Sequence, residues 1–203
     1  MKIYIVRHGE SQDDVDDCYG GIADFPLTIA GENTARDTAA RLAGIGITQI
    51  FTSPLKRAKQ TAEIIAHHIS VPLEVVERLQ ERNSYGVLSG HNKAKANEIF
   101  PRILSGITGK PGDYYKGSRI PGDEPVIDFD ARVRAAFDEC LRKAAPLHST
   151  IAVVTHGNVT RSIYRNILNV AGKVELDLLA LTVVNCSDGE CTIESKEGVT
   201  IAT

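Results

Sequence analysis

Two hundred and three residues hold one or two average domains, and a 42% hydrophobic, 24% charged composition excludes collagen-like and disordered chains. Twenty-three Lys and Arg against 26 Asp and Glu give a net charge of -3, which argues against a nucleic-acid partner bound through a broad basic surface. No apolar run nears the roughly 18 residues that would cross a bilayer, and the first residues carry no signal-peptide pattern, so a cytoplasmic protein with no membrane partner is expected.

In chain order, residues 3–6 read as a short strand buried on both faces. After Leu27-Thr28, apolar positions 35, 39, 42 and 43 repeat at helical spacing until Gly44 and Gly46 stop them. Residues 49–52 read as a second strand. Ser53-Pro54 then opens a helix, with Ser as N-cap, Pro in the first turn and an apolar stripe through 58, 62, 65, 66 and 69. Residues 71–76 make another strand. Between 84 and 121 the periodicity fails and Gly and Pro accumulate. This inserted segment carries Lys93, Lys95, Arg102, Lys110, Lys116 and Arg119 against Glu98 and Asp113, as a positively charged lid over an anion site would. A further helix spans 125–144, a strand 151–154, and another helix begins near Asn158. From Leu178 to the end, two or three strands are joined by Asp-Gly and Glu-Gly turns, and the 178–186 run offers an edge for pairing as a homodimer. The order of strands and helices predicts an α/β fold, a three-layer sandwich on a mostly parallel sheet, with one domain over 1–203 and the lid at about 84–121.

Four cysteines, Cys18, Cys140, Cys186 and Cys191, lack the paired spacing of a zinc site and read as structural thiols. Cys186 and Cys191 flank Ser-Asp-Gly-Glu, so a two-residue turn on Asp188-Gly189 would set them opposite each other in a hairpin, with oxidation left to the compartment. Gly44-Ile-Gly46 precedes a strand and lacks a third glycine, so it is no dinucleotide loop. His67 and His68 end a helix, where positive charge suits the dipole, while His91 and His148 fall in loops; none is assigned a metal.

The chemistry gathers at strand ends. Arg7-His8-Gly9-Glu10 follows the first strand and Thr155-His156-Gly157-Asn158 follows the 151–154 strand, where ligands of open α/β sheets bind. Two such histidines can point at one another. Ser53-Pro-Leu-Lys-Arg57-Ala stands at a third strand-to-helix junction. Arg7 and Arg57 supply the permanently charged forks that a phosphate's oxygens require.

Five ordered motifs, Arg7-His8-Gly9-Glu10-Ser11, Leu27-Thr28-Ile-Ala-Gly31, Thr52-Ser-Pro-Leu-Lys-Arg57-Ala-Lys-Gln-Thr61-Ala, Leu79-Gln-Glu81-Arg82 and Thr155-His156-Gly157-Asn158, run through nearly the whole chain, which resembles the histidine phosphatase superfamily. The resemblance implies a metal-independent enzyme with no cofactor. His8 would be the nucleophile, unprotonated, with one ring nitrogen held by a backbone carbonyl and the other attacking phosphorus. Arg7, Arg57 and His156 would surround the phosphoryl oxygens, and Glu81 would give the leaving oxygen its proton. Ser11, Asp14, Gly21, Arg82, Tyr85, Lys93 and Asn158 would bind the substrate, a small phosphorylated metabolite.

Within the family, Glu81-Arg82-Asn-Ser-Tyr85 through Asn92-Lys93 and Asn158 look like the phosphoglycerate mutase branch, with one residue inserted between Arg82 and Tyr85. Other features lean toward a phosphatase. The mutases' adjacent arginine pair is represented only by Lys110, and the 47 residues after His156 end in strand-like sequence without a basic tail. Asp14 stands where mutases carry Asn. A carboxylate about 4 Å from a bisphosphate costs about 4 kcal/mol at an effective dielectric of about 20. A phosphomonoester phosphatase is therefore expected, with a mutase primed by 2,3-bisphosphoglycerate as the alternative. A non-catalytic phospho-ligand module is the third reading.

Overall fold

The computed structural model describes residues 1–105, 120–144, 150–187 and 189–202. Six strands form one sheet: β1 (Lys2–Arg7), β2 (Ile47–Thr52), β3 (Leu73–Val75), β4 (Thr150–Thr155), β5 (Lys173–Ser187) and β6 (Glu190–Ala202), in the spatial order β3-β2-β4-β1-β5-β6. The first three pairings in that order are parallel, and β5 and β6 add an antiparallel hairpin at one edge. Each central strand is apolar on both faces because helices cover both. Ile3, Ile5, Phe51, Ile151 and Val153 pack under α6 (Val126–Ala144) and α7 (Gly157–Asn166). Tyr4, Val6, Ile50, Ala152 and Val154 pack under α2 (Ile29–Leu42) and α3 (Lys56–Ile69). This is the three-layer α/β sandwich expected. It places the ends of β1 and β4 side by side, with His8 and His156 just beyond them.

Local details depart from the sequence reading. The helix after Ser53 begins only at Lys56, with Leu55 as N-cap. Ser53 is not its cap. Its hydroxyl accepts the Leu55 N–H at 3.2 Å, closing a turn before the helix. The third strand is shorter than predicted, three residues against six. A one-turn helix, α1 (Gln12–Val15), follows the first strand, and the inserted segment is not irregular throughout: after a 3-10 turn at Gly86–Leu88 it holds two short helices, α4 (Lys93–Ile99) and α5 (Pro101–Ser105). They span under two turns each, too few for an apolar repeat to register. Leu88, Ala96 and Ile120 form a small core of their own with Tyr19, Tyr85 and Phe100 around it. Lys110, Asp113, Lys116, Arg119 and His148 lie outside the described residues.

The C-terminal stretch is two strands, and the 178–186 run is no edge: it lies between β1 and β6. The exposed edge belongs to β6. Glu197-Gly198 is not a turn either. It sits inside β6 opposite a bulge, where the register steps from Leu176↔Val199 to Leu181↔Glu197, and Gly198 takes φ +63°. The bulge drops β5 backbone onto the carboxyl end of β1: the Leu179 N–H donates to the His8 carbonyl at 3.3 Å. At the other end of the hairpin, Cys186 and Cys191 face each other and are joined as a disulfide. Cys186 spends its own N–H and carbonyl on Met1, so it meets Cys191 as a non-hydrogen-bonded pair with Cα atoms 4.1 Å apart. Among the described residues, no helix is long and apolar enough to cross a membrane.

Candidate active site

His8 follows β1 and is 5% exposed. Its Nδ1 lies 2.8 Å from the Gly9 carbonyl, which can only accept, so Nδ1 carries the hydrogen and Nε2 keeps its lone pair. Burial, then the charges of Arg57 and Arg7, hold His8 well below the usual imidazole range, outweighing the Gly9 bond. The ring is therefore neutral at pH 7 and nucleophilic at one atom. Arg57, in the first turn of α3, donates from Nε to that atom at 3.3 Å. Its other two nitrogens donate to the carbonyls of Ala23 at 2.8 Å and Gly21 at 2.7 Å.

His156 caps α7 and is fully buried, its ring centroid 5.1 Å from that of His8 in an edge-to-face arrangement. Its Nε2 lies 2.7 Å from Ser53 Oγ. Ser53 Oγ takes the Leu55 N–H and, among the described residues, finds this ring nitrogen as the acceptor for its own hydrogen, which favours the Nδ1–H tautomer of His156. Burial first, and then Arg57, His8 and Arg7, push its pKa well below the ordinary value. A neutral histidine thus still presents a donor. Among the described residues, His156 Nδ1 and Arg7 Nε are the buried side-chain nitrogens without a hydrogen-bond partner. Buried donors are normally satisfied, so this pair suits an anion with spare lone pairs. Arg7 is otherwise held by the Leu176 carbonyl at 2.6 Å, next to the β5 bulge. Burial and the nearby Arg161 and Arg57 lower its pKa, while Asp14 and Glu81 oppose that shift.

Glu81, 8% exposed, takes the Arg82 N–H on one oxygen at 2.7 Å and the Asn158 N–H, in the first turn of α7, on the other at 3.1 Å. The five residues expected to do the chemistry, Arg7, His8, Arg57, Glu81 and His156, are thus all at or near the ends of adjoining strands.

The expected substrate contacts divide. Gly21 acts through its carbonyl on Arg57; at φ +53° a Cβ there would also stand 2.8 Å from Ser89 Oγ and 3.2 Å from the Tyr85 ring. Tyr85 therefore lies over the loop that holds Arg57, packed on Tyr19 at 5.1 Å. Asn158 is fixed between Ser84 and Arg161 at 3.4 and 3.2 Å. Ser11, which is buried, and Asp14, which is exposed, are spent on the start of α1, Ser11 N–H donating to Asp14 at 2.9 Å and the hydroxyl to Asp13 at 2.6 Å. Arg82 is committed to the Glu124 carbonyl through two bonds of 2.9 and 2.8 Å. Lys93 pairs with Asp17 on an exposed surface. Sequence reasoning missed Ser53 as a partner of His156, and Arg161, whose Nη1 lies 3.0 Å from where a Gly157 Cβ would stand. Arg161 follows Asn158 by three residues on the same helix, a spacing that could have flagged it. Among the described residues no three His, Cys, Asp or Glu side chains gather as a metal-ligand set.

Comparison with known proteins bears on the family and the fold. The chain is 34% identical over 190 residues to the "Probable phosphoglycerate mutase GpmB" of Proteus mirabilis, covering 92% of this chain and 82% of that protein. Among solved structures, Bacillus stearothermophilus YhfR superposes with a TM-score of 0.81 at 24% identity, over 97% of this chain and 96% of its own. The α-ribazole phosphatase of Shigella flexneri does so at 0.79 and 20%, over 97% and 96%. Those two likenesses speak for the fold. The family model that matches residues 3–197 carries the assignment: the chain belongs to the histidine phosphatase superfamily, branch 1.

Proposed function

We propose that the protein is a metal-independent phosphatase of small phosphomonoesters that works through a phosphohistidine on His8. The observation that carries this is the state of the His8 ring: Nδ1–H tied to Gly9 and a bare Nε2 beside Arg57. On substrate arrival the Arg57 Nε–H moves from His8 Nε2 to a phosphoryl oxygen, releasing the lone pair. Nε2 attacks phosphorus, the P–O ester bond breaks, and Glu81 in its acid form gives its proton to the leaving oxygen. Arg7, Arg57 and the Nδ1–H of His156 hold the three equatorial oxygens, where charge spreads in the transition state. Water then attacks phosphorus, Glu81 takes its proton, and the P–N bond breaks to return His8 and inorganic phosphate.

Hydrolysis rather than transfer is favoured because a mutase must grip a second anionic group while the phosphoenzyme waits. Arg82 and Lys93, which the family resemblance offers for that grip, are engaged by Glu124 and Asp17. The mutase reading, with 2,3-bisphosphoglycerate as primer, draws on the curated relative's name and on Tyr85 lying over Gly21. One experiment separates them: phosphate release and isomer transfer measured in parallel on a panel of phosphorylated metabolites that includes both phosphoglycerates. Release is expected to dominate, with an acid-labile phosphoryl label on the enzyme that His8→Ala abolishes. Isomerisation stimulated by the bisphosphate and faster than release would install the mutase instead. A chain that takes no label and releases no phosphate from any ester would be a binding module.

A further inference from the structure

Glu81 hangs from chain without regular structure. A 3-10 turn, Glu77–Leu79, ends before it, and residues 81–84 belong to neither helix nor strand. A proton donor on such a segment is aimed only if the backbone beneath it is tied, and the ties converge on one side chain. Arg132, in the second turn of α6, donates from Nη1 to the carbonyls of Arg78 at 2.7 Å and Gln80 at 2.8 Å, and from Nη2 to that of Glu81 at 3.4 Å. The same guanidinium grips Glu124 in two places, Nε to Oε1 at 2.8 Å and Nη2 to Oε2 at 2.7 Å, and lies 5.1 Å from the Phe129 ring centroid. Forked, charge-assisted pairs of this kind fix direction as well as distance. Glu124 closes the circuit from the other side. Its N–H donates to the Asn83 carbonyl at 2.8 Å and its carbonyl takes both Arg82 bonds. Residues 78–83 are thus held by one arginine and its carboxylate partner, neither of which reaches the reacting atoms.

We propose that Arg132, oriented by Glu124, is a positioning residue for Glu81 and sets the aim of the proton donor. This rests on the reading of Glu81 as the acid. It follows that, in the step that phosphorylates His8, the pair matters where the leaving oxygen needs a proton and little where it does not. A staple that merely stabilised the loop would not distinguish leaving groups.

The test compares an alkyl phosphate, glycerol 2-phosphate, with an aryl ester, p-nitrophenyl phosphate, on the full-length enzyme. Read as the single-turnover rate of alcohol or phenol release, which reports phosphorylation of His8 and not the later hydrolysis common to both esters, Arg132→Met, Arg132→Lys and Glu124→Gln are each expected to lower the rate for the alkyl ester about 10- to 100-fold, within the range acid–base catalysis supplies, and to leave that for the aryl ester nearly unchanged. Arg132→Lys keeps the charge and loses the fork, so its split isolates geometry. Should Arg132→Met fail to fold, the other two decide. Equal losses on both esters, or no loss on either, would overturn the positioning role. Glu81→Gln is the reference and should show the same split at larger amplitude. Absence of that split, or a wild-type enzyme that turns over neither ester, would overturn the reading of Glu81 and the positioning role with it. A normal split in Glu81→Gln with flat Arg132 and Glu124 variants would remove the positioning role alone.

Discussion

The two sides of the site are built differently. On one side His8, Arg57 and His156 sit at strand ends and helix starts, buried, each tied to backbone or to a hydroxyl that is itself tied. On the other, the 84–105 segment wraps its own small core of Leu88, Ala96 and Ile120 apart from the two large clusters under the sheet. On the function proposed above, chemistry that must hold phosphoryl oxygens to within tenths of an ångström falls on the first half, and the face for the rest of the substrate falls on a half that can be reshaped without moving His8.

Breaking the first half gives the largest effect. His8→Ala is expected to lower phosphate release by about 10⁴-fold or more on every ester, as loss of a nucleophile does elsewhere, with no phosphoryl label in a rapid-quench assay. A rate within tenfold of wild type would put the nucleophile elsewhere. Arg57→Ala follows, at about 10²- to 10³-fold in kcat, the usual cost of one oriented donor to a developing oxyanion. It should also loosen residues 21–23, visible as faster amide exchange there and nowhere in β1.

Leu88→Ala probes the other half. At zero exposure the truncation should cost about 2–4 kcal/mol, read as lost exchange protection across 85–104 while the sheet keeps its protection. Global loss of protection would show that the two halves unfold as one and that the contrast drawn between them is false.

A last probe is pH. Both site histidines have folded pKa values depressed below 6.5, so above that value neither state binds the proton and stability is unaffected. As pH falls through 6.5 the unfolded chain takes up protons that the folded one refuses, and stability drops by up to about 1.4 kcal/mol per pH unit for each histidine. Urea midpoints measured from pH 7.5 to 5 check this. The same sign predicts that kcat/KM of the free enzyme shows no fall near 6.5 from His8 protonation; a drop centred there would mean the ring titrates normally.

Legibility tracks the distance over which a residue acts. His8 and Arg57 were readable because a strand end followed by a glycine or by a helix start is a local pattern with a known position in an open sheet. Ser53 reads as a cap for the opposite reason. Its partner, His156, is 103 residues away, and nothing near Ser53 in the chain marks that bond. Glu197-Gly198 looked like a turn because a left-handed glycine serves turns and bulges equally, and only the register against β5 tells them apart. Helices α4 and α5 were invisible because a repeat needs more turns than they have.

What the chain alone determined is the sandwich and the order in which its charged and nucleophilic groups reach the sheet's carboxyl edge, since strand burial, helix stripes and strand-end motifs are written in neighbouring residues. What tertiary structure decided is the state of those groups: which nitrogen of His8 is free, which tautomer His156 adopts, and which arginines are already engaged by carbonyls. Protonation and hydrogen-bond direction depend on burial and on partners drawn from remote segments, and those exist only once the layers have closed.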